Sequence, residues 1–329
     1  MNRMNILTAT DENYAPWCGV MLTSLLKYNR DYDIHIYILL DDVSQENKDK
    51  FNLLHSNIHL IELKEFDFES WVPTLPLGEY LSRTTWARLA LGDVLPDDVH
   101  KVLHIDADTI VLGSLKELWE TALDVDTAAA AIDEYRDATY LGMKGLYFNA
   151  GVILFNVDYF RNNNIKEKSI QFIRQHSDIM RFHDQDVLNK MFEGHVIFKH
   201  RKFNLTCYGN VISDELRNDA DFKQDKEAVF SNDVRIYHFV GKVKPWIYYH
   251  FEPMAFNLCW RKIYRRSIWR KTPLLSTRSS LKSKFLVIVV NFMCRIGLKS
   301  PSNQGVWVRL YPNTGWNRFK SFFSLDSYR

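Results

Sequence analysis

Several things are scarce or missing in this chain of 329 residues. Cysteine is one. Cys18, Cys207, Cys259 and Cys294 show no paired spacing. That argues against a disulfide framework or a zinc site and suits reduced thiols in a cytosol. Long apolar runs are another. The longest, Phe285 to Met293, falls far short of the ~20 residues that a bilayer crossing needs. A leader is a third: MNRMNILTATDENY meets an acid at Asp11 before any long apolar stretch, so it does not read as a signal peptide. Internal repeats and low-complexity linkers are also absent, and the length fits one large domain or two medium ones.

Positive charge is short over the first 252 residues, which hold 27 basic and 39 acidic side chains. A body this acidic does not suit nucleic acid, whose phosphates need a basic surface. From Pro253 to Arg329 the balance reverses, with fifteen Lys/Arg and one acid, Asp326. Apolar material is plentiful: 46% hydrophobic and 14% aromatic residues support a sizeable core.

The pattern begins with a buried strand, Asn5 to Thr10, closed by the polar turn Asp11-Glu12-Asn13-Tyr14. Pro16 opens a helix whose apolar face carries Val20, Leu22, Leu25 and Leu26. A second strand, Ile34 to Leu40, follows. Ser44 reads as an N-cap with Asn47 three residues on, and Phe51, Leu53 and Leu54 line the next helix. Ile58 to Leu63 is a third strand. This alternation predicts βαβ units and a parallel sheet. After a proline-containing loop, Glu65 to Gly78, comes a short helix from Leu81 to Leu91 that carries Arg88.

The chain then reaches KVLHIDADTIVL, Lys101 to Leu112. Read as one extended stretch, it points Asp106 and Asp108 to the same side. Two such carboxylates repel. Protonation, a basic partner or a divalent cation relieves the repulsion, and hard cations such as Mg²⁺ and Mn²⁺ readily share oxygen ligands with phosphates. The bland alternative is a solvated turn with two acids. Further on, Ala128 to Ile132 reads as a core strand delivering Asp133. Tyr147-Phe148-Asn149-Ala150-Gly151 leads into a strand from Val152 to Asn156. Asp158 to Gln175 is helical with a break near Asn162. His183-Asp184-Gln185-Asp186 opens a helix to Met191, and Ile236 to His238 is a late strand before FVGKVKPW. In open α/β sheets ligands bind beyond the carboxyl ends of strands. Asp11, Asp106, Asp108, Asp133 and His238 all stand at or just past such an end, which points to one shared site. Trp86, Phe148 and Trp246 read as packing residues.

TATDENYA, TTWARL, LHIDADTIV, YFNAGVILFN, HDQDVLN and HFVGKVKPW resemble, in order and spacing, the motifs of glycosyltransferase family 8. The likeness covers about residues 4–250. It is nearest to the bacterial members that extend lipopolysaccharide or lipooligosaccharide, with glycogenin more remote. The resemblance implies an α/β GT-A fold, a Rossmann-like mixed sheet flanked by helices. It also implies a UDP-hexose donor, Mn²⁺ (or Mg²⁺) and retention of anomeric configuration. By position, Asp11 and Asn13 would hold the uracil edge, with Tyr14 stacked on its face. Asp106, Asp108 and His238 match the metal ligands, and Gly241 and Lys244 the diphosphate contacts. Arg88, Asp133, Asn149, Asp184 and Gln185 match the residues around the donor sugar. Glu12 stands where the family often has Asp. Tyr80 stands near where some members place a histidine that receives the acceptor.

Retention calls for two inversions or for attack on the face that the diphosphate leaves. Gln185 carries no charge and is a poor nucleophile; Asp184 is a better one but is expected to be committed to sugar hydroxyls, so front-face attack is the favoured route over double displacement. The expected acceptor is a glycolipid oligosaccharide. In the region 251–329 basic residues alternate with Trp260, Tyr264 and Trp269, and Phe319, Phe322 and Phe323 add apolar area. That mixture suits an anionic membrane surface. It places the protein at the inner face of the cytoplasmic membrane, with residues 1–250 as the catalytic domain. Two rivals are a glycogenin-like transferase acting on a tyrosine and a non-catalytic UDP-sugar-binding scaffold.

Overall fold

The computed structural model describes residues 2–66, 83–134, 136–206, 228, 231, 233–241, 244–247 and 256–275. Most of the expected 65–78 loop, Tyr80, Cys207, Cys294 and the tail from residue 276, including Phe285 to Met293 and Phe319, Phe322 and Phe323, lie outside the described residues. The chain forms two compact units. The first holds Met1–Cys18, Asn29–Ala107 and Leu115–His200. The second holds Gly19–Tyr28, Asp108–Ser114 and the part from Arg201 onward.

The first unit is built on a seven-stranded sheet. Its strands are β1 (Asn2–Asp11), β2 (Tyr32–Asp41), β3 (Ile58–Glu62), β4 (Lys101–Ile105), β6 (Ala129–Asp133), β7 (Phe148–Asn156) and β8 (Val196–Phe198), in the order β3-β2-β1-β4-β7-β6-β8. β1 pairs in parallel with β2 and β4, β2 with β3, and β6 with β8. β7 runs antiparallel to both β4 and β6. The sheet is therefore mixed: the parallel direction predicted from the first three strands is shared by β4, β6 and β8, and β7 alone of the seven runs against it. Val102, Leu103, His104 and Ile105 are all buried, as are Ala129, Ala130 and Ala131. Burial on both faces explains why these central strands read as continuous apolar runs and not as alternations. One core cluster joins Tyr37, Trp86, Val102, Ile153, Phe155, Phe160 and Phe192.

Helix α1 (Ala15–Tyr28) starts with proline in its first turn. Helix α2 (Gln45–Leu54) has the expected cap: Ser44 Oγ accepts from the Asn47 amide at 3.4 Å. Its expected apolar face is narrower than read, because Phe51 is buried but Leu53 is exposed. The single helix expected over 81–91 is three short pieces, Arg83–Ala87, a 3₁₀ turn Arg88–Ala90, and Leu91–Val94. Helices α3 (Val157–Asn162) and α4 (Ile165–His176) are broken where expected, with Asn164 left-handed between them. Helix α5 (His183–Met191) follows.

The second unit carries a three-stranded sheet of β5 (Thr109–Val111), β10 (Ile236–His238) and β9 (Leu205–Thr206), in the order β5-β10-β9. β5 and β10 are antiparallel, and β9 is parallel to β10. Helix α6 (Asn257–Tyr264) also belongs to this unit. Trp260 and Trp269 are fully buried, and Trp246 and Phe256 nearly so. Trp246 packs on Trp260, and Phe256 on Tyr237. The expectation of Trp260 and Trp269 as surface aromatics is thus corrected, because both serve as core. Arg265, Arg266, Arg270 and Lys271 are exposed, as expected of a charged surface. Cys18 and Cys259 are free thiols. Burial pushes the Cys18 thiol up to about 12, which leaves it unreactive at neutral pH. No described helix is long and apolar enough to cross a membrane.

Candidate active-site residues in the two units

β4 ends at Ile105, and a turn, not a strand, carries Ala107-Asp108. The alternation argument for Asp106 and Asp108 therefore fails, because pleat directions do not hold in a turn. Asp106 is the last residue but one of the first unit's stretch, which closes at Ala107, and Asp108 opens the second unit's.

In the first unit, Asp11, Asp106 and Asp133 all stand at the carboxyl ends of parallel-running strands: Asp11 ends β1, Asp106 follows β4 and Asp133 ends β6. β7 is antiparallel and brings its opening residues to the same edge, with Phe148 opposite Asp133. Asn149 therefore lies inside the strand and not ahead of it, as the sequence reading had it. The Asp106 amide donates to the Gly151 carbonyl at 2.8 Å, which ties the two edges together. Asp11 is half-buried and accepts from the Tyr14 amide at 2.8 Å. Asn13 and Tyr14 are exposed in the turn that follows. Glu12 accepts from the Ser44 amide and the Asn47 side chain, so it anchors the start of α2.

Arg88 is buried and central. Its Nη2 donates to Asp106 Oδ1 at 3.1 Å, and its Nη1 to the Ala150 carbonyl at 2.8 Å. Its Nε lies 3.2 Å from Asp184 Oδ2, an ion pair by distance whose angle is too poor for a hydrogen bond. Asp184 is buried in the first turn of α5. Burial raises its carboxyl to about 7, with the Arg88 charge opposing the rise and the Asp106 charge adding to it. The preceding residue, His183, has φ of 49°, which stores strain at this corner. Gln185 Oε1 accepts from the Ala150 amide at 2.8 Å and from Asn149 Nδ2 at 3.3 Å. Arg88, Asp106, Asn149, Asp184 and Gln185 thus form one connected network. Asp133 is buried at the same sheet edge.

The sequence reading missed other members. His104 is buried, and its Nε2 lies 2.9 Å from Asp106 Oδ1. It sits two residues before Asp106, a spacing that could have signalled it. Glu134 and Tyr147 both accept from the Gln185 amide. Asp186 stands inside the HDQD stretch, yet its carboxylate faces Tyr140, Tyr147 and two backbone amides.

In the second unit, His238 ends β10 and is buried. Its Nδ1 lies 3.1 Å from Asn204 Oδ1, and its Nε2 lies 3.0 Å from Asp108 Oδ1. Asn204 Oδ1 can only accept, so the proton belongs on Nδ1. Nε2 then turns a lone pair toward a carboxylate oxygen, an arrangement that a second proton or a cation must reconcile. Lys244 donates to Asp108 Oδ2 and to the Phe239 carbonyl. Gly241 has φ of +80°, a conformation that suits glycine, and open space where a side chain would stand. By residue type, Asp106 in the first unit and Asp108 and His238 in the second are ligands of the kind that suits Mn²⁺ or Mg²⁺.

The family model described as Glycosyl transferase family 8 matches residues 5–249. A "Putative glycosyltransferase" of Haemophilus influenzae is 34% identical over 214 residues, 62% of this chain and 63% of that protein. The lipopolysaccharide 1,3-galactosyltransferase of Salmonella typhimurium is 28% identical over 262 residues, 74% of this chain and 73% of its own length. Among solved structures, that of the galactosyltransferase LgtC with donor and acceptor sugar analogs matches with a TM-score of 0.69 and 28% identity, covering 82% of this chain and 99% of that one.

Proposed function

The chain belongs to glycosyltransferase family 8, and from that premise we propose that it moves a hexose, galactose or glucose, from a UDP-sugar to a lipopolysaccharide-type oligosaccharide with retained configuration. The observation that carries this reading is the buried Arg88 network at the carboxyl edge of the main sheet, joining Asp106, Ala150 and Asp184. Such an edge is where open α/β sheets take nucleotide ligands. The similarity to lipopolysaccharide galactosyl- and glucosyltransferases supports the acceptor class.

In this reading Asp106, Asp108 and His238 hold a divalent cation. When bound, the cation supplies Lewis-acid stabilisation to a diphosphate leaving group. Asp11 and Asn13 hold the uracil and Tyr14 stacks on it. Lys244 adds a fixed positive charge beside the diphosphate, and the Gly241 backbone approaches it. Arg88 offsets the charge of half-buried Asp106 and of buried Asp184 at once. Asp184, whose carboxyl titrates near 7, accepts or donates hydrogen bonds to sugar hydroxyls. Asp133, Asn149 and Gln185 orient the sugar. Attack comes from the face that the diphosphate leaves, and the leaving phosphate accepts the acceptor's proton.

The tail belongs to the same proposal. Residues 1–250 carry the chemistry. The exposed Arg265, Arg266, Arg270 and Lys271 lie against anionic lipid at the inner face of the cytoplasmic membrane, near a glycolipid acceptor.

A panel of UDP-sugars with UDP release as the readout tests the reading. UDP-galactose or UDP-glucose should be consumed in Mn²⁺, and Asp106→Ala should lower the rate by at least ~100-fold, as for loss of a major charge-stabilising group. No release from any UDP-hexose would overturn it.

A further inference from the structure

Gln185 has two amide N–H donors and one carbonyl oxygen with two lone pairs. All four are taken within the first unit. Nε2 donates to Glu134 Oε2 at 2.7 Å and to the Tyr147 hydroxyl at 3.1 Å. Oε1 accepts from the Ala150 amide at 2.8 Å and from Asn149 Nδ2 at 3.3 Å. The orientation follows from the partners. A backbone N–H can only donate and a carboxylate can only accept, so the nitrogen faces Glu134 and the oxygen faces Ala150.

Glu134 is itself held. It is buried, its amide donates to the Tyr147 carbonyl at 2.9 Å, and its Oε1 accepts from Arg136 Nη2 at 2.9 Å. Tyr147 is held from the other side. Its hydroxyl donates to Asp186 Oδ1 at 2.6 Å, and burial together with that carboxylate keeps the phenol protonated. Asp186 is buried and accepts from Tyr140 and from the amides of Arg181 and Phe182. Gln185 is therefore clamped from behind by a carboxylate and a phenol, each fixed by its own partners.

We infer that Glu134 is a positioning residue for sugar transfer, acting through Gln185. The inference rests on the reading above and adds to it a residue outside the expected sugar-contacting set. Glu134 fixes the amide, and the amide fixes Asn149 and the Ala150 peptide. That peptide's carbonyl receives Arg88, which pairs with Asp106 and Asp184. Without an acceptor at position 134, one amide N–H loses its partner. A half-turn of the amide then becomes possible, placing an N–H against the Ala150 N–H. Asn149 and Ala150 loosen together. In this state the carbonyl of Gln185 has no lone pair left over, so its task is to hold the sugar's surroundings in place.

The test uses the full chain and two variants, Glu134→Ala and Glu134→Gln. With UDP-hexose in saturating Mn²⁺, Glu134→Ala should lower kcat by roughly 10–100-fold, the scale on which misplacement away from the reacting atoms acts. KM should stay within about 3-fold, and UDP binding by calorimetry should be unchanged. Glu134→Gln keeps one acceptor oxygen but shares it with Arg136, so it should fall between the wild type and Glu134→Ala. The side-chain amide resonances of Gln185, followed by NMR, give a readout independent of turnover. They should shift and exchange faster with solvent in Glu134→Ala. Unchanged kcat, or loss of UDP binding in step with kcat, would overturn the positioning role. Unchanged Gln185 resonances would overturn the clamp itself. If the wild type consumes no UDP-hexose while those resonances still move, the proposed reaction fails and the clamp stands.

Discussion

Two residues set out the physics of the site. Asp184 is a buried acid whose carboxyl is raised to about 7, chiefly by burial. The unfolded chain would lose that proton near pH ~4. Between about pH 4 and about pH 7 the folded state binds more protons, so this group's contribution to stability falls as pH rises and is level above that window. In chelator, Asp184→Asn should remove the fall. The variant should gain several degrees in Tm over wild type near pH 8 and gain little near pH 5, since each kcal/mol moves Tm by ~2–4 °C in a chain of this size. A gain that is the same at both pH values would contradict the assigned cause. His238 is the second. Asn204 fixes its Nδ1 proton and leaves Nε2 facing Asp108. Asn204→Ala should weaken Mn²⁺ binding by ~10–100-fold, as measured by the free-ion EPR signal, because orienting partners tune ligand affinity. Equal affinity would show that the imidazole needs no such support.

At the scale of elements, the sequence was most legible where periodicity and caps are local. β1, β2, β3, the Ser44 cap and the break between α3 and α4 could all be read from residue pattern. The proposed cation ligands, Asp106, Asp108 and His238, rest on residue type and family resemblance. The strand switch at Asp106-Ala107-Asp108 was not legible. A continuous apolar pattern cannot say that β4 joins one sheet and β5 another. Glu134 and Tyr147 were illegible for a related reason. Their partner Gln185 is distant in sequence, and a lone Glu after a strand carries no signal of its own. The tail was half legible. Its charge was plain, but Trp269 looks the same in sequence whether it faces lipid or core. In the fold it is buried, and a Cβ on Gly19 would meet its ring. Trp269→Ala should therefore cost ~3–5 kcal/mol in urea unfolding. A cost below ~1 kcal/mol would contradict its place in the interior.

At the scale of the whole molecule, the strong division of charge between the first 252 residues and the rest calls for a function. Truncation near residue 252 would remove Trp260 and Trp269 from the second unit's interior, so it confounds stability with attachment. Reversing the charge of Arg265, Arg266, Arg270 and Lys271 leaves the core alone. Each basic side chain near anionic lipid contributes ~1 kcal/mol, so the reversed chain should lose most sedimentation with phosphatidylserine vesicles. Wild type should be partly released by salt. Unchanged binding after reversal would rule out an electrostatic surface contact. The central claim is narrower: a family 8 fold whose Asp106, Asp108 and His238 serve transfer with retention. Proton NMR of the sugar formed from an α-linked UDP-hexose in Mn²⁺, beside the same reaction in chelator, tests it most directly. The account expects an α-configured product that forms with Mn²⁺ and is lost in chelator; a β-configured product, or equal turnover in chelator, would contradict it.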